Sequence, residues 1–348
     1  MMVQDAFFRL SQYWAEQGCL VLPACEFDIP AGTLHPDVFF LLLEGEGCRA
    51  AYLQPVRRPL DARHGAHPYR LFRHLQFQVF LEADGTDVRQ LYLDSLRALG
   101  CTVERHDIRF DDSSWGASSI GGHGSGWHVE LDGLGVTRLT FLQELGGQRM
   151  ERVPVEISYG LERLLMALGK VQSTFDLPWV TDGPTYGDLR RSTEVELSHY
   201  AVEVANVESL ARRLEDLQSE ARAALDAGLP RVAYEQAIQT LRLVDLLEAR
   251  GEMTPGERQA KLDEVRGIVV AAAADHLGLG GPEAEDQADA SENASPGAEA
   301  EADAATGDDN AAVEETAKAE ETDAKKTDKA KSAKTKRAKK TKGSSQDA

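Results

Sequence analysis

The chain has 348 residues, of which 58 are acidic and 38 basic, so its formal net charge at pH 7 is −20. An acidic chain argues against nucleic-acid binding across its whole surface, and the lack of an apolar run long enough to cross a bilayer argues against a membrane protein. The 4 cysteines form no C-x-x-C pair, so we expect neither zinc nor disulfides but reduced cysteines and a cytoplasmic location.

Residues 1–195 mix helical and strand patterns, which predicts an α+β domain. Apolar residues recur at helical spacing in three segments, at 7–14, 87–100 and 157–169. Short alternating or apolar runs predict strands. These runs lie at 20–22, 50–55, 75–81, 102–110, 127–133, 136–145 and 155–158. Short strands with glycine-rich connections are typical of an antiparallel sheet, so we expect such a sheet flanked by helices.

The rest of the chain divides by composition. Residues 196–281 have helical patterns throughout and predict a small all-helical domain. Residues 282–348 contain no aromatic residue and cannot bury enough apolar surface to fold, which predicts a disordered tail. Its charge is segregated, with 12 acids and no lysine or arginine over 283–315, then 11 bases and 4 acids over 318–342. The basic end is either an arm that touches RNA phosphates or a solvated tail that neutralises itself.

A basic hairpin is predicted between Ala51 and Phe80. It carries five arginines and three histidines, and Asp61 is the only acid among them. The arginine fork matches phosphate oxygens, and Phe77 on the return strand has a flat ring that can stack on an adenine. This pattern predicts an ATP-binding hairpin, but it equally suits a solvated basic hairpin with a core phenylalanine.

A second motif favours the nucleotide interpretation. The segment Gly160–Arg163 opens a helix directly after a strand-like run. An arginine in the first turn of a helix beside a sheet can reach a bound triphosphate. Alone, this arginine would equally be a surface residue paired with Glu162.

Several sequence blocks together resemble one family. They are AGTLHP at 31–36, AAYLQPVRRPLDARHG at 50–65, QFQV at 76–79, ELGGQ at 144–148 and EISYGLERL at 156–164. Over roughly residues 5–275 the chain resembles the α subunit of the heterotetrameric bacterial glycine–tRNA ligase, a class II aminoacyl-tRNA synthetase. The resemblance implies a class II catalytic domain at 1–195, followed by the helical domain.

The resemblance also implies the reaction and the partners. The carboxylate of glycine would attack the α-phosphorus of ATP to give glycyl-adenylate and pyrophosphate, and glycine would then pass to tRNA(Gly). Mg²⁺ would accompany the ATP phosphates. The chain would form a homodimer through its catalytic domain and an α2β2 tetramer with a β subunit, which would supply most contacts to the tRNA.

Matching the family's motifs assigns expected roles in ATP binding. Arg57 would hold the α-phosphate, Arg73 the terminal phosphates, and Arg163 would lie on their other side, so Arg57 and Arg163 are the expected catalytic residues. Phe77 would stack on adenine, with Gln76 or Gln78 beneath the adenylate. The remaining expected ligands are carboxylates, with Glu144 in the ATP site and both Glu144 and Glu156 as magnesium ligands. Arg58 would point to the opposite face and anchor the loop.

The glycine site would need an anion and no room for a β-carbon. Thr33, Trp115 and Glu156 fit these requirements. The chain departs from the family's pattern on this side, where His128 replaces a glutamate, Gly135 stands where a carboxylate is common, and Glu144 follows Gln143 in place of a second glutamine. Two alternatives therefore stay open: a paralogue that activates another amino acid or loads another acceptor, and a non-catalytic ATP-binding partner protein.

Overall fold

The computed structural model describes residues 1–45, 47–82 and 85–279. Eight α-helices occur in this part of the chain: α1 (Val3–Glu16), α2 (Pro36–Leu43), α3 (Val88–Ala98), α4 (Leu161–Gly169), α5 (Tyr186–His199), α6 (Val207–Asp226), α7 (Pro230–Ala249) and α8 (Pro255–His276). The strands are β1 (Leu20–Val21), β2 (Ala50–Arg57), β3 (Arg73–Glu82), β4 (Ile108–Ala117), β5 (Gly122–Leu131), β6 (Leu134–Leu145), β7 (Gln148–Arg149) and β8 (Pro154–Gly160).

The eight strands form one sheet in the described residues, in the order β1-β2-β3-β8-β6-β5-β4, with β7 added beside β6. All neighbours are antiparallel except β1 and β2, which are parallel. Helices flank this sheet and a helical segment follows it. The predicted α+β fold with a largely antiparallel sheet is therefore confirmed.

The sheet buries both of its faces because side chains alternate along each strand. One face packs under α1, α3 and α4, and contributes Phe77, Val79 and Tyr159 to a buried cluster. The other face contributes Tyr52 and Phe80 to a second cluster, which includes residues of α2, α6, α7 and α8. We call this second side the polar face, because buried glutamines and a glutamate lie between its apolar residues.

The structure differs from the sequence-based prediction in several places, and residues 157–160 belong to β8 and not to the predicted helical segment. Helix α2 was not predicted, because PDVFFLLL is a short continuous apolar run without readable periodicity. Helix α5 begins at Tyr186, where Thr185 and Asp188 form a capping box, so helical structure starts before residue 196. The strand expected at 102–110 begins only at Ile108, after a short 3-10 turn.

The predicted division into domains stays a prediction. The boundary at residue 195 lies within α5, and the helices after it share a buried cluster with α2 and the sheet. The expected disordered tail at 282–348 lies outside the described residues. Within the described residues, no helix combines the length and apolarity that a membrane span requires.

Candidate functional site

A short segment crosses the polar face and is tied to it at nearly every residue. We call residues 28–33 the strap. Asp28 forms an ion pair with Arg57, with Oδ1 2.7 Å from Nε, and the carbonyl of Pro30 accepts a hydrogen bond from Nε of Arg58 at 3.1 Å. The carbonyl of Gly32 accepts from the hydroxyl of Tyr52 at 2.9 Å. The strap is therefore fixed to the end of β2 at one side and to the centre of the sheet at the other.

Beneath the strap, Gln76 and Gln78 of β3 form a polar floor. Both are 1% exposed. Oε1 of Gln76 accepts a hydrogen bond from the backbone N–H of Gly32 at 2.8 Å, and Nε2 of Gln78 donates to Oγ of Ser158 at 3.0 Å. Oε1 of Gln78 is buried and has no hydrogen-bond partner among the described residues. A buried acceptor of this kind is costly unless a ligand donates to it.

Gly32 is required where the strap approaches the floor. A β-carbon on this residue would lie 2.4 Å from Cγ and from Nε2 of Gln78. This close approach explains why the AGT turn needs glycine at its centre.

Glu156 of β8 lies next to the strap and is almost fully buried. Its Oε1 accepts a hydrogen bond from the hydroxyl of Thr33 at 2.5 Å. Burial raises the pKa of Glu156 to about 7, and the Thr33 hydrogen bond and the charge of Arg138 only partly oppose this effect. The carboxylate is therefore poised between its two protonation states at neutral pH, and a cationic ligand group would favour the ionised form.

Arginines gather where β2 ends and β3 begins. Arg57 and Arg73 are directly opposite each other in the register of the two strands. The pKa of Arg73 is lowered by burial and by the positive charges of Arg190 and Arg57. Like charges held this close repel each other, so the arrangement favours an anionic ligand.

Arg163 lies in the first turn of α4, as its motif predicted. Its guanidinium is 4.9 Å from the centre of the Tyr69 ring, which comes from the loop between β2 and β3. Burial, together with the charges of Arg58 and Arg163, lowers the pKa of His74 well below its usual range. His74 is therefore neutral beside the positive charges of Arg58 and Arg163.

Two buried carboxylates hold the start of β3 in place. The strand β8 pairs with β3 only from Gln76 onward, so earlier N–H groups lack a strand partner on that side. Glu162 accepts a hydrogen bond from the Leu75 N–H at 2.8 Å and from the Tyr186 hydroxyl at 2.9 Å. Glu194 accepts from the Phe72 N–H at 2.5 Å. These carboxylates take the place of the missing strand and fix the backbone that presents Arg73.

Phe77 does not join the site. Strand alternation places it on the opposite face from Gln76 and Gln78, and its ring is fully buried, 6.1 Å from the ring of Tyr159. The stacking role expected of Phe77 therefore does not fit this geometry. The alternative, a core phenylalanine, is what the structure contains.

The two carboxylates expected to bind magnesium are not brought together. Glu156 is opposite Thr140 in the sheet, and Glu144 lies four residues further along β6, which is about 13 Å of strand. Glu144 is instead 3.4 Å from Nδ1 of His123. Across the described residues, no group of three or more His, Cys, Asp or Glu side chains is arranged to hold a metal ion. The residues present do not fit a magnesium site shared by Glu144 and Glu156.

Trp115 lies on the polar face but at a distance from Glu156. Its strand β4 is three strand spacings from β8, about 14 Å. The Trp115 ring lies over Gly122, where a β-carbon would be 3.2 Å from the ring. Trp115 therefore covers the part of the polar face that is farthest from Glu156. Its contact with a ligand held by Glu156 stays a prediction.

His128 and Gly135 form a matched pair in the same face. A β-carbon on Gly135 would lie 2.5 Å from Nε2 of His128, so glycine leaves the space that the imidazole fills. Burial and the charge of Arg138 lower the pKa of His128, and its Nε2 has no hydrogen-bond partner in the described part of the chain. At these two positions, where the resemblance leads us to expect acidic residues, the structure has one neutral ring and the space that it fills.

The structure brings together Thr33, Gln76, Gln78 and Glu156 in one part of the site and Arg57 with Arg73 in another. Sequence reasoning did not select several residues that hold these groups: Asp28, Ser158, Glu162, Arg190 and Glu194. Glu162 stands beside Arg163 in the YGLERL block and was considered only as an ion-pair partner. The others carry no local signal, because each acts on a residue far away in the chain.

A protein-family model described as glycyl-tRNA synthetase alpha subunit matches residues 3–278. A mostly antiparallel sheet with a buried polar face and flanking arginines, together with this match, defines an aminoacyl-tRNA ligase of class II that uses ATP as a substrate. Within that class, the chain belongs to the glycyl-tRNA synthetase alpha subunit family. The description as an alpha subunit implies a partner beta subunit.

Two structures of pyrrolysyl-tRNA synthetase from Desulfitobacterium hafniense each share 14% sequence identity with this chain, with TM-scores of 0.38 and 0.37. Each comparison covers 53% of this chain and 76% of the other.

Proposed function

We propose that this chain activates glycine with ATP to form glycyl-adenylate and transfers glycine to tRNA(Gly), as the catalytic subunit beside its beta partner. The observation that carries this proposal is the polar face itself. Buried acceptors on Glu156 and Gln78 lie under one strap, and the same strap is tied to Arg57 at the cationic end of β2. A small zwitterion finds complementary groups on the polar face, and a polyphosphate finds cations at the adjoining ends of β2 and β3.

The cationic end suits ATP. In the proposed reaction a carboxylate oxygen of glycine attacks the α-phosphorus, and the bond from that phosphorus to the pyrophosphate oxygen breaks. Negative charge builds on the phosphate oxygens during this step. Arg57, as the residue at the end of β2, would hold the α-phosphate, with Arg73 on the terminal phosphates and Arg163 facing them from α4. Fixed guanidinium groups stabilise such charge without reorganising.

The acidic part suits the ammonium group of glycine. Ionised Glu156 would accept one ammonium hydrogen, and Oε1 of Gln78 would accept another. The Thr33 hydroxyl holds Glu156 in place from the strap. Gly32 brings the strap into close contact with Gln78, and we propose that this tight approach keeps the pocket too small for a substrate β-carbon.

The other parts of the proposal rest on the family. Magnesium would arrive with the ATP phosphates. Because Glu156 is buried and Glu144 lies about 13 Å away along β6, no step is assigned to the metal. The homodimer, the tRNA contacts made mainly by the beta subunit and the cytoplasmic location stay predictions.

ATP–pyrophosphate exchange tests this function directly. The full-length chain, co-purified with the beta subunit, would be assayed with each of the twenty amino acids. We expect exchange with glycine alone. Exchange with another amino acid would instead favour the paralogue that arises from the His128 and Gly135 substitutions. If no amino acid supports exchange even with the beta subunit present, the catalytic proposal is refuted.

A further inference from the structure

The carboxylate of Asp28 is shared by two arginines from different parts of the fold. Its Oδ1 lies 2.7 Å from Nε of Arg57, at the end of β2. Its Oδ2 contacts Nη1 of Arg242, which is on α7 in the helical segment. The backbone N–H of Arg57 also donates to the carbonyl of Ile29 at 3.0 Å, so the strap holds Arg57 by main chain and side chain together.

The shared carboxylate is partly screened from water. Asp28 is 29% exposed, and the side chains of Arg57 and Arg242 are 23% and 31% exposed. Charge pairs in such partly buried positions interact more strongly than pairs on an open surface. The three groups together carry one net positive charge.

Removing Arg242 would change how Arg57 meets a phosphate. With two arginines present, the single negative charge of Asp28 is shared between two guanidinium groups. Arg57 is therefore only partly neutralised and can still attract an anion. Without Arg242, Asp28 would pair with Arg57 alone and neutralise it. A phosphate would then have to displace the carboxylate before it could bind.

We infer that Arg242 is a positioning residue for ATP binding, which holds Asp28 from α7 so that Arg57 stays oriented and available to a phosphate. This inference rests on the proposed function, because it takes Arg57 as a phosphate-binding residue. Through this contact, a residue of the helical segment would influence ATP binding at the end of β2. Arg242 itself need not touch the nucleotide.

The test uses three variants of the full-length chain with its beta subunit. Arg242→Met removes the charge and keeps a long side chain, whereas Arg242→Lys keeps the charge. The third variant combines Arg242→Met with Asp28→Asn. A matched control is Arg231→Met, because Arg231 is also on α7 and forms a 3.1 Å ion pair with Glu44 away from β2.

Two measurements separate positioning from folding. ATP–pyrophosphate exchange with glycine gives KM for ATP and kcat, and calorimetric titration gives the Kd for ATP without turnover. Arg242→Met should raise both KM and Kd about tenfold, a loss of about 1.4 kcal/mol, with kcat nearly unchanged. Arg242→Lys should restore most of the affinity. Arg231→Met should leave the KM for ATP at the wild-type value.

The double variant gives the sharpest result. Because Asp28→Asn removes the carboxylate that neutralises Arg57, it should bring the KM for ATP back toward the wild-type value when combined with Arg242→Met. A simple loss of packing would leave the KM for ATP of the double variant as high as that of Arg242→Met or higher, and that result would overturn the inference. Equal KM values for Arg242→Met and Arg231→Met would also overturn it. A wild-type chain without exchange or ATP binding would instead refute the proposed function beneath it.

Discussion

Replacing Glu156 with glutamine removes an ionisable group from the polar face and keeps its size and its acceptor for Thr33. Burial raises the pKa of this carboxyl from 4.5 to about 7. Each pKa unit corresponds to about 1.4 kcal/mol, so the ionised group costs the folded protein about 3 kcal/mol above pH 7. The charge of Arg138 opposes only part of this cost, and an ammonium ligand would offset more of it.

The sign of the stability effect follows from linkage. A group whose folded pKa is raised contributes stability fully below its unfolded pKa of 4.5, and this contribution is lost as the pH rises through about 7. The Glu156→Gln variant has no such titration. As the pH rises from 4 to 9, the variant should therefore gain about 3 kcal/mol of unfolding free energy relative to wild type. Urea unfolding at the two pH values measures this shift.

The same pKa predicts how glycine binding depends on pH. If the ammonium binds only ionised Glu156, the competent fraction of the free enzyme is about 0.9 at pH 8 and about 0.1 at pH 6. The KM for glycine should therefore rise about tenfold as the pH falls from 8 to 6. In Glu156→Gln this KM should be high and flat over the same range.

ATP–pyrophosphate exchange at saturating ATP provides the assay. Glu82→Gln is the control, because Glu82 is on β3 and forms a 3.1 Å ion pair with Arg152 outside the strap. This control should keep the wild-type pH profile. If Glu156→Gln also keeps the wild-type KM and its pH dependence, Glu156 is not the ammonium ligand and the glycine part of the site has been misassigned.

Three further substitutions test other parts of the site. Arg57→Ala should reduce exchange by about 10² to 10³-fold while circular dichroism stays unchanged, and a wild-type rate would remove Arg57 from the mechanism. Phe77→Leu should lower the unfolding free energy by about 1–3 kcal/mol because it loosens the packing against Tyr159, yet leave the KM for ATP unchanged; a selective rise in that KM would restore the adenine-stacking role. Gly32→Ala should raise the KM for glycine at least about tenfold, because the new methyl must displace the Gln78 side chain, and an unchanged KM would show that the strap can move away.

The basic hairpin and the helix opened by Gly160 could be predicted from sequence because their signals are local. Arginines cluster between residues 57 and 73, and the turn into α4 follows directly on a strand. The stacking role predicted for Phe77 conflicts with a local rule that was available. Neighbours on a strand point to opposite faces, so Phe77 and Gln78 could not both lie under one ligand. The buried position of Phe77 decides which of them belongs to the site.

The contacts that organise the site are not visible in sequence. Thr33 and Glu156 are 123 residues apart in the chain. Asp28 likewise contacts Arg57 and Arg242, which come from distant parts of the sequence. A lone aspartate in a loop carries no pattern that indicates which arginine it will meet. These contacts form because the strap crosses the sheet, and that path is visible only in the structure.

That path has a consequence for how the two substrates are coupled. Asp28 and Thr33 are the two ends of the strap, so the group that holds Arg57 and the group that holds Glu156 cannot move independently. A triphosphate that draws Arg57 away from Asp28 releases the strap at one end, whereas an ammonium group that ionises Glu156 strengthens the Thr33 hydrogen bond at the other. The two ligands would therefore influence each other's affinity through six residues of main chain, and linkage requires the influence to be equal in both directions. Titrating ATP with and without glycine, in wild type and in Thr33→Val, measures this coupling. Equal ATP affinity in all four cases would show that the strap is a passive scaffold.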